Sequence, residues 1–523
     1  MTRQRLPFWV RAFSTLWVLA TVATVATLAQ AAPPPTEAFF QQPAFSQAQL
    51  SPDGRHVALV AGGKGTRQRL VVMALDTQKL QVVGGFDDRD VRAVQWVNDR
   101  RLVYDLEVQL TGLNRVDEGR GLFAVDVDGG SHRQLIESVR SFARDADMGV
   151  PALSWRHFVV AVPGLGLGDS IYVGMAGEVS REKIDYIDIK RLDTRSGRTA
   201  DVDTPLHAKG WVFGHDAQVL AALTVKGGQH AWQVRQADGS WRASPPFDPI
   251  GQGDVTLHWQ GPDGTLYGTA GHQGMNALFS FDKTSGRPVG PPLVATSGFD
   301  VNPGFIANAQ RLLGVRHTVD AEVTQWFDPG LQALQADIDK RLPATSNRIS
   351  VARHGDSPWA LVQASADVQP TVSHAFNRST GKLLRLGASL PGINAQHMGQ
   401  TDFHRITARD GLPLPAYLTL PPGGGKKLPL VVLVHGGPWV RGADWTFDPE
   451  VQFLASRGYA VLQPAFRGST GYGWRHFEAG FKQWGLAMQD DIADATRWAV
   501  AQGHADPARI CIAGASYGGY AAL

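Results

Sequence analysis

The sequence predicts two successive folds, an all-β region over about residues 46–395 and an α/β region over about residues 400–523. In the first region, short apolar runs alternate with turns rich in Gly, Asp and Ser, which is typical of antiparallel β structure. In the second, apolar strands alternate with segments of helical spacing, which is typical of a doubly wound, mostly parallel sheet. A chain of 523 residues is also too long for one hydrophobic core.

One short pattern recurs in the all-β region: an apolar residue, then Asp or Asn, then a turn containing Gly, Ser or Thr. Its seven copies begin at Leu75, Val127, Leu192, Ala237, Phe281, Phe327 and Phe376. Most intervals are about 40–55 residues, the length of one four-stranded blade. The repeat therefore predicts a seven-bladed β-propeller, with a loop insertion near Gly164–Gly168 in the longest interval.

The spacing of apolar residues and the positions of capping residues predict individual helices and strands in both regions. A helix decorating one blade is predicted from Leu331, Leu334, Ile338 and Leu342. In the α/β region, Asp448 and Pro449 are suited to begin a helix that ends before Gly458. Strands are predicted at Leu430–Val434, Tyr459–Leu462 and Ile510–Ala513, and a second helix at Met488, Ile492, Ala495 and Ala499.

Composition excludes several classes of function. The net charge of +2 comes without a basic stripe, so no nucleic-acid partner is indicated. The single cysteine, Cys511, excludes an intramolecular disulfide, and its apolar neighbours predict a buried core position. The runs Gly62–Thr66 and Gly164–Gly168 lack the spacing of phosphate-binding loops and are interpreted as turns. We predict no cofactor and no metal site.

The strongest chemical signal is Gly514-Ala-Ser-Tyr-Gly518, which directly follows a predicted strand. This G-x-S-x-G pattern is typical of a nucleophile elbow, in which Ser516 occupies a tight turn between strand and helix. Gly514 and Gly518 fit because a Cβ would crowd the neighbouring backbone. The turn would expose the Ser516 hydroxyl and place the Tyr517 N–H beside it.

A second element, His435-Gly-Gly-Pro438, follows the strand that ends at Val434. In an α/β-hydrolase, a loop at this place supplies the second donor of the oxyanion hole, because its small residues let a backbone N–H approach the developing charge. His435 alone could be structural, but its pairing with the elbow favours the oxyanion loop. The two motifs together predict an α/β-hydrolase domain with Ser516 as nucleophile.

The region from about residue 400 resembles the catalytic domain of the prolyl oligopeptidase family of serine peptidases, in its acylaminoacyl- and dipeptidyl-peptidase-like branch. The matching segments are Arg409–Gly411, Leu428–Leu430, His435–Pro438, Arg467–Gly473, Trp484-Gly485, Asp490-Asp491, Asp506-Pro507 and Gly514–Tyr520. In that family a seven-bladed propeller precedes the hydrolase domain, in agreement with the repeat.

The resemblance implies roles for individual residues. Ser516 would be the acylated nucleophile, and the N–H groups of Gly437 and Tyr517 would bind the oxyanion. Arg467 and Tyr472 are expected to be mainly structural. The three carboxylates of the predicted helix are expected to be surface or capping groups rather than catalytic acids: Asp490, Asp491 and Asp494.

The triad of this fold runs in the order Ser, then Asp or Glu, then His. Leu523 ends the sequence within the first turns after Ser516, so the sequence has no position left for the triad acid or the triad histidine. A serine without a base is a poor nucleophile. We therefore expect this chain to be a piece of a longer protein, with an incomplete hydrolase domain and little activity by itself.

Three functions remain open on the sequence. The first is a peptidase that hydrolyses short peptides, with the propeller limiting access to the site. The second is an esterase using the same acyl-transfer groups, and the third is a non-catalytic propeller that binds a ligand or protein. The family motifs favour the peptidase over the esterase, and Ser516 favours an enzyme over a binding module. Exo- or endopeptidase preference and oligomeric state are left open.

The N-terminus has the pattern of a secretory signal peptide over residues 1–31. Three arginines precede an uncharged apolar run, and Ala29-Gln-Ala31 forms a small-x-small cleavage site before a run of prolines. An uncleaved anchor helix is the alternative, which the short, Thr-rich run disfavours. Residues 32–45 would then be a linker, and the protein would be periplasmic or secreted, with no other membrane contact.

Cleavage of this signal predicts a mature protein that begins at or near Ala32. The loss of three arginines and no acid would change the formal charge from +2 to −1. N-terminal sequencing of the exported protein is the measurement. A sequence beginning at Met1 or Thr2 would contradict the prediction.

Overall fold

A computed structural model describes residues 33–63, 65–107, 120–138, 150–180, 183–248 and 255–523, without the side chains of 178–180 and 183–185. The predicted signal peptide lies outside the described residues. Within the described ranges, no helix is both long and apolar enough to cross a membrane.

Seven small antiparallel sheets follow one another along the chain and confirm the seven-bladed propeller. Six have four strands and one has three among the described residues. Blade 1 comprises β1 (Phe45–Leu50), β2 (His56–Ala61), β3 (Arg69–Ala74) and β4 (Lys79–Gly84), and blade 2 comprises β5 (Val91–Trp96), β6 (Arg101–Leu106), β7 (Leu122–Asp126) and β8 (Arg133–Ile136). Blade 3 comprises β9 (His157–Ala161), β10 (Ser170–Ser180), β11 (Lys183–Asp193) and β12 (Thr199–Asp201), blade 4 comprises β13 (Ala208–Phe213), β14 (Val219–Lys226), β15 (Gln229–Arg235) and β16 (Trp241–Ala243), and blade 5 comprises β17 (Thr256–Gln260), β18 (Leu266–His272), β19 (Met275–Phe281) and β20 (Pro288–Val294). Blade 6 comprises β21 (Gly304–Ala307), β22 (Leu312–Thr318) and β23 (Glu322–Trp326), and blade 7 comprises β24 (Ser346–Val351), β25 (Trp359–Ser365), β26 (Val372–Asn377) and β27 (Lys382–Ala388).

The recurring Asp or Asn turn has one structural position in all seven blades, directly after the third strand. In six of the seven copies the side chain accepts hydrogen bonds from the backbone that follows, as Asp193 does from the N–H groups of Arg195 and Ser196. In the first copy, Asp76 accepts from the Trp359 indole instead. The turn thus begins the outermost strand in the six four-stranded blades. The same geometry repeats because every blade must reverse the chain at that point.

Blade 6 uses this turn to begin a helix instead of a fourth strand. Asp328 accepts a hydrogen bond from the Leu331 N–H and caps α2 (Pro329–Arg341). The predicted helix is confirmed, with Leu331 and Ile338 buried against the blade. Gly164–Gly168 lie in the short loop between β9 and β10, so the predicted insertion there is wrong: most of the extra length lies between β8 and β9 and in the 11-residue strands β10 and β11.

The ring closes between blades 1 and 7 without exchange of a strand, since each blade is built from consecutive strands. Side chains and loop hydrogen bonds join them instead. The Ser357 hydroxyl donates to the Gly54 carbonyl (2.6 Å), and the indole N–H of buried Trp359 donates to Asp76 (2.8 Å). A shared apolar cluster that includes Phe45 and Trp359 fills the seam.

A five-stranded sheet follows the propeller, in the order β28, β29, β31, β30, β32. Its strands are β28 (Gln400–Thr407), β29 (Pro413–Leu420), β30 (Leu428–Val434), β31 (Ala460–Pro464) and β32 (Ala505–Gly514). The helices are α3 (Pro449–Ala455), α4 (Trp474–Glu478), α5 (Ala487–Ala501) and α6 (Tyr517–Ala522), with a 3-10 turn at Ala395–His397 before the sheet. The strands β30, β31 and β32 are parallel, whereas β28 and β29 join antiparallel.

The elements predicted for this region are confirmed, but the predicted burial of Cys511 is wrong. Cys511 is exposed, as are its neighbours Ile510 and Ile512. The reason is that β32 is the edge strand of the described sheet and pairs only with β30. Apolar neighbours in sequence predicted the strand correctly, but they do not determine what covers it.

The N-terminal segment packs on the hydrolase domain before the chain enters the propeller. The short helix α1 (Glu37–Phe40) lies against α3, with the rings of Phe39 and Phe453 in edge contact at 5.8 Å. Arg457 lies 4.0 Å over the Phe453 ring and donates to the Pro34 carbonyl (2.8 Å). Residues 34–40 therefore belong structurally to the hydrolase domain.

The hydrolase domain contacts the propeller through turns between the second and third strands of several blades. The Tyr417 hydroxyl donates to the Asp320 carbonyl (2.7 Å) in blade 6, and the Thr401 N–H donates to Asp367 (2.7 Å) in blade 7. Between blades 5 and 6, the Asp300 carboxylate accepts from the Gly473 N–H (3.0 Å). Gly473 lies in the segment that follows the carboxyl end of β31, so the propeller contacts that side of the sheet.

Replacing Trp359 with Ala should destabilise the protein by about 3–5 kcal/mol, because a buried indole and its bond to Asp76 are lost at the ring seam. Urea denaturation followed by circular dichroism measures the change. The control is Trp155→Ala, since Trp155 is 49% exposed and a substitution there should cost no more than about 0.5 kcal/mol. Equal destabilisation by both substitutions would contradict the proposed role of the seam.

Candidate active site

Ser516 lies on the turn that connects β32 to α6. Its backbone angles, φ +56° and ψ −120°, are strained for a residue with a side chain. The turn packs directly on the end of β30: a Cβ at Gly514 would lie 2.5 Å from the Val434 carbonyl oxygen, and one at Gly518 would lie 2.0 Å from it. Only glycine fits at these two positions, as the sequence pattern predicted.

The Ser516 side chain is exposed and forms no hydrogen bond with any residue that the structure describes. The predicted oxyanion loop lies beside it. A Cβ built on Gly436 would be 3.3 Å from the Ser516 Cβ and 3.9 Å from its Oγ. The sheet therefore brings together the two motifs that the sequence separates by about 80 residues.

The two predicted oxyanion donors are available for hydrogen bonding. Neither the Gly437 N–H nor the Tyr517 N–H donates to an acceptor within the described part of the chain. Gly437 is exposed, and Tyr517 is the first residue of α6, where the helix itself provides no partner for an N–H. A helix N-terminus also favours negative charge nearby.

His435 supports the oxyanion loop and does not act on Ser516. Its Nδ1 lies 2.7 Å from the Gly436 carbonyl, to which it can only donate, and its Nε2 lies 2.9 Å from the Ser469 hydroxyl. The ring stacks on Phe466 at 4.4 Å. Burial lowers the pKa of His435, so the imidazole is neutral at pH 7. Both ring nitrogens are therefore engaged in holding the loop.

A buried ion pair holds the segment behind this loop. Arg467 donates from its backbone N–H and its Nε to one Asp491 oxygen (both 2.8 Å), and from Nη2 to the other (2.7 Å). These bonds raise the pKa of Arg467 above its usual value. Arg467 also pairs with Asp410 at 2.9 Å. The guanidinium thus ties β31, α5 and the β28–β29 turn together.

The expectation that Asp491 is a surface or capping group is wrong, because its side chain is fully buried against Arg467. Of its neighbours on α5, Asp490 lies at the surface, whereas the Asp494 side chain is largely covered, and both bind Arg409. None of the three carboxylates caps the helix by a side-chain hydrogen bond. The structural role expected of Arg467 agrees with this geometry.

Tyr472 separates two cavities near the site. One, of about 420 Å³, lies against Gly436 and Ala515, and the other, of about 470 Å³, lies at the domain interface. The Tyr472 hydroxyl is buried without a hydrogen-bond partner in the described residues. The guanidinium of Arg441, which the sequence analysis did not single out, lies 5.1 Å from its ring.

No triad acid or histidine is placed at Ser516 by the described residues, as the absence of hydrogen bonds to its hydroxyl shows. The same ranges contain no cluster of three or more His, Cys, Asp or Glu side chains arranged to hold a metal ion. The geometry therefore places an exposed serine beside two backbone N–H groups without acceptors in these ranges, and leaves a general base unassigned.

Comparisons with known proteins agree with this geometry. The pattern of the prolyl oligopeptidase family matches residues 445–523. Dipeptidyl aminopeptidase BIII of Pseudoxanthomonas mexicana is 31% identical over 509 residues, which cover 93% of this chain and 68% of that protein. Dipeptidyl peptidase family member 6 of Caenorhabditis elegans is 33% identical over 189 residues, 32% of this chain and 25% of its own length.

Among solved structures, a puromycin hydrolase superimposes with a TM-score of 0.64 at 18% identity, covering 94% of this chain and 77% of its own. A structure from a study of two prolyl endopeptidases gives 0.64 at 17% identity, with 94% and 72% covered. These likenesses show the shared propeller and hydrolase fold.

The fold and the relatives define this chain as a serine peptidase, a hydrolase whose α/β domain is preceded by a seven-bladed propeller. It belongs to the prolyl oligopeptidase family.

His476 on α4 should make the stability depend on pH. Burial lowers its pKa to about 4, from about 6.5 in the unfolded chain. The unfolded state then binds a proton that the folded state does not, so stability should fall as the pH drops from 6.5 to 4, by up to about 3 kcal/mol. Urea denaturation across this range measures the slope.

The variant His476→Gln should flatten this dependence, with His397→Gln, at a partly exposed position, as the control. His476 donates to the Phe466 carbonyl (3.1 Å), and Phe466 stacks on His435. Protonation of His476 therefore affects the residues that support the oxyanion loop. An unchanged pH slope in His476→Gln would show that His476 is not the group responsible.

Proposed function

We propose that this chain contributes the nucleophile and the oxyanion hole of a peptidase that hydrolyses short peptides through an acyl-enzyme at Ser516. One observation carries the proposal. Ser516 is exposed on a strained turn beside two backbone N–H groups, of Gly437 and Tyr517, that have no acceptor in the described structure. That arrangement is suited to a tetrahedral oxyanion.

In the proposed reaction, the Ser516 oxygen attacks the peptide carbonyl carbon while its proton passes to a general base. The carbonyl oxygen becomes an oxyanion that accepts hydrogen bonds from Gly437 and Tyr517. The C–N bond then breaks, and the amine leaves with the proton that the base returns. Water attacks the ester in the same way, releasing the acid and restoring the serine.

The described residues do not place the general base at Ser516. His435, which comes nearest in sequence to the oxyanion loop, uses both ring nitrogens for the Gly436 carbonyl and the Ser469 hydroxyl. Its lowered pKa also makes it a weak base. The proposal therefore requires a histidine, oriented by a carboxylate, that is not among the contacts described here.

The substrate class follows from the position of the site and from the relatives. The propeller contacts the segment beyond the carboxyl end of β31, on the side of the sheet where Ser516 lies, which supports a substrate small enough to enter between the domains. The similarity to dipeptidyl aminopeptidase BIII supports release of N-terminal dipeptides. The N-terminal sequence pattern supports a periplasmic or secreted location.

Fluorophosphonate labelling tests the nucleophile. In the protein purified from its native cells, we expect label at Ser516 and hydrolysis of dipeptidyl anilides. Ser516→Ala should abolish both, since loss of a triad serine costs on the order of 10⁶ in kcat. Ser379→Ala, at an exposed serine in a propeller turn, is the control. Mass spectrometry of the labelled peptide identifies the residue.

Residues 1–523 expressed alone should label at least 100-fold more slowly, because no described side chain accepts the Ser516 proton. If N-acylaminoacyl anilides are hydrolysed in preference to dipeptidyl anilides, Ser516 remains the proposed nucleophile, but the substrate class is acylated amino acids rather than dipeptides. Labelling that persists in Ser516→Ala would place the catalytic serine elsewhere and overturn the proposal.

A further inference from the structure

A cavity of about 720 Å³ lies within the propeller, lined by residues from blades 3 to 7. Each blade contributes the end of its first strand or the loop to its second, for example Phe213, Trp259 and Phe305. Adjacent strands are antiparallel, so these loops lie at the opposite end of each blade from the turns that contact the hydrolase domain. The cavity therefore opens on the propeller face that points away from Ser516.

Arg353 projects into this cavity from a backbone that blades 1 and 6 hold in place, and its side chain binds blade 3. Its N–H donates to the Pro52 carbonyl of blade 1 (2.7 Å), and its carbonyl accepts from the Ala309 N–H of blade 6 (2.8 Å). Its Nη1 donates to the Pro163 carbonyl of blade 3 (2.8 Å). The Arg353 guanidinium has five N–H groups, and its bond to the Pro163 carbonyl uses one of them.

The positive charge of Arg353 has no carboxylate partner in the described residues, and no Asp or Glu side chain among them lines the cavity. Asp99 is bound to the neighbouring His354 at 2.9 Å. The enclosing walls desolvate the guanidinium and lower its pKa, although the side chain stays accessible to solvent. A single uncompensated cation thus faces the cavity.

The loop at Gly164 is shaped around this guanidinium. Gly164 has φ +75°, and a Cβ there would lie 2.8 Å from the Arg353 Nη1. The Gly164–Gly168 run, interpreted from sequence as a plain turn, therefore also provides the space that Arg353 occupies.

The remaining wall is aromatic and uncharged. The rings of Trp259 and Phe305 lie 5.2 Å apart at one side, and Phe213 lies on the neighbouring blade. Burial lowers the pKa of His258 to about 4, so this histidine is neutral at pH 7. A cation beside apolar aromatic surface is complementary to an anion with an apolar body.

We propose that this cavity binds a small organic carboxylate with an aromatic or branched apolar body, its carboxylate on Arg353 and its body against Trp259 and Phe305. Two sources carry this chemistry, the C-terminal residue of a peptide and a free carboxylic acid. The binding is independent of Ser516, so it goes beyond the proposed peptidase reaction.

Calorimetry on the 523-residue chain tests the site with N-acetyl-phenylalanine and its uncharged amide. The acid should bind at least 10-fold more tightly than the amide, because the amide lacks the charge that Arg353 recognises. Arg353→Met should lose at least 10-fold in affinity for the acid. Arg55→Met is the matched control, since Arg55 lies on the same face, is 62% exposed and does not line the cavity.

A tripeptide, Ala-Ala-Phe, and its C-terminal amide distinguish the two sources. Binding of the tripeptide acid would support a site for peptide C-termini, and binding of N-acetyl-phenylalanine alone a site for free acids. Ser516→Ala should leave all affinities unchanged, which separates this proposal from the peptidase reaction.

Equal affinity for acid and amide, no binding of the acid, or full affinity in a folded Arg353→Met would overturn the proposal. Circular dichroism establishes whether that variant folds. If it does not, the comparison of acid with amide in the unaltered chain decides the question.

Discussion

The active-site geometry depends on the contact between two backbones, the turn after β32 and the end of β30. At Gly514 and Gly518 the two approach so closely that a single methyl group would overlap the Val434 carbonyl. Because no side chain intervenes, the distance between Ser516 and the oxyanion loop is determined by main-chain geometry alone. Backbone contacts of this kind vary less than contacts between side-chain rotamers, which suits a site that must hold its donors ready before substrate arrives.

A second layer stabilises that contact from behind. Phe466 stacks on His435, and its neighbour Arg467 is bound to the buried Asp491. Breaking such a pair leaves one charge buried, which typically costs about 3–5 kcal/mol. The segment that carries Phe466, Arg467 and Ser469 therefore couples the helix α5 to the oxyanion loop. Its position explains why the Arg467–Gly473 motif is structural and still close to the chemistry.

Local sequence patterns predicted what local geometry decides. The turns were predictable because the Asp or Asn side-chain oxygen binds the backbone just after the third strand in six of the seven blades. The elbow was predictable because only glycine fits beside Val434. The environments of Cys511, Asp491 and Arg353 were not predicted, since each depends on elements distant in sequence. For Cys511 it is an uncovered sheet edge, for Asp491 a guanidinium from the turn after β31, and for Arg353 the meeting of three blades.

The packing of the N-terminal segment on α3 has a consequence for synthesis on the ribosome. Pro34 and Arg457 are 423 residues apart, with the whole propeller between them. At translation rates of about 5–20 residues per second, α1 emerges roughly 20–85 s before the helix on which it packs. During that time Phe39, which is buried in the folded structure, has no α3 to cover it. The propeller can complete its blades in this interval, so the hydrolase domain, although it includes the earliest described residues, must be the last part of the chain to finish folding.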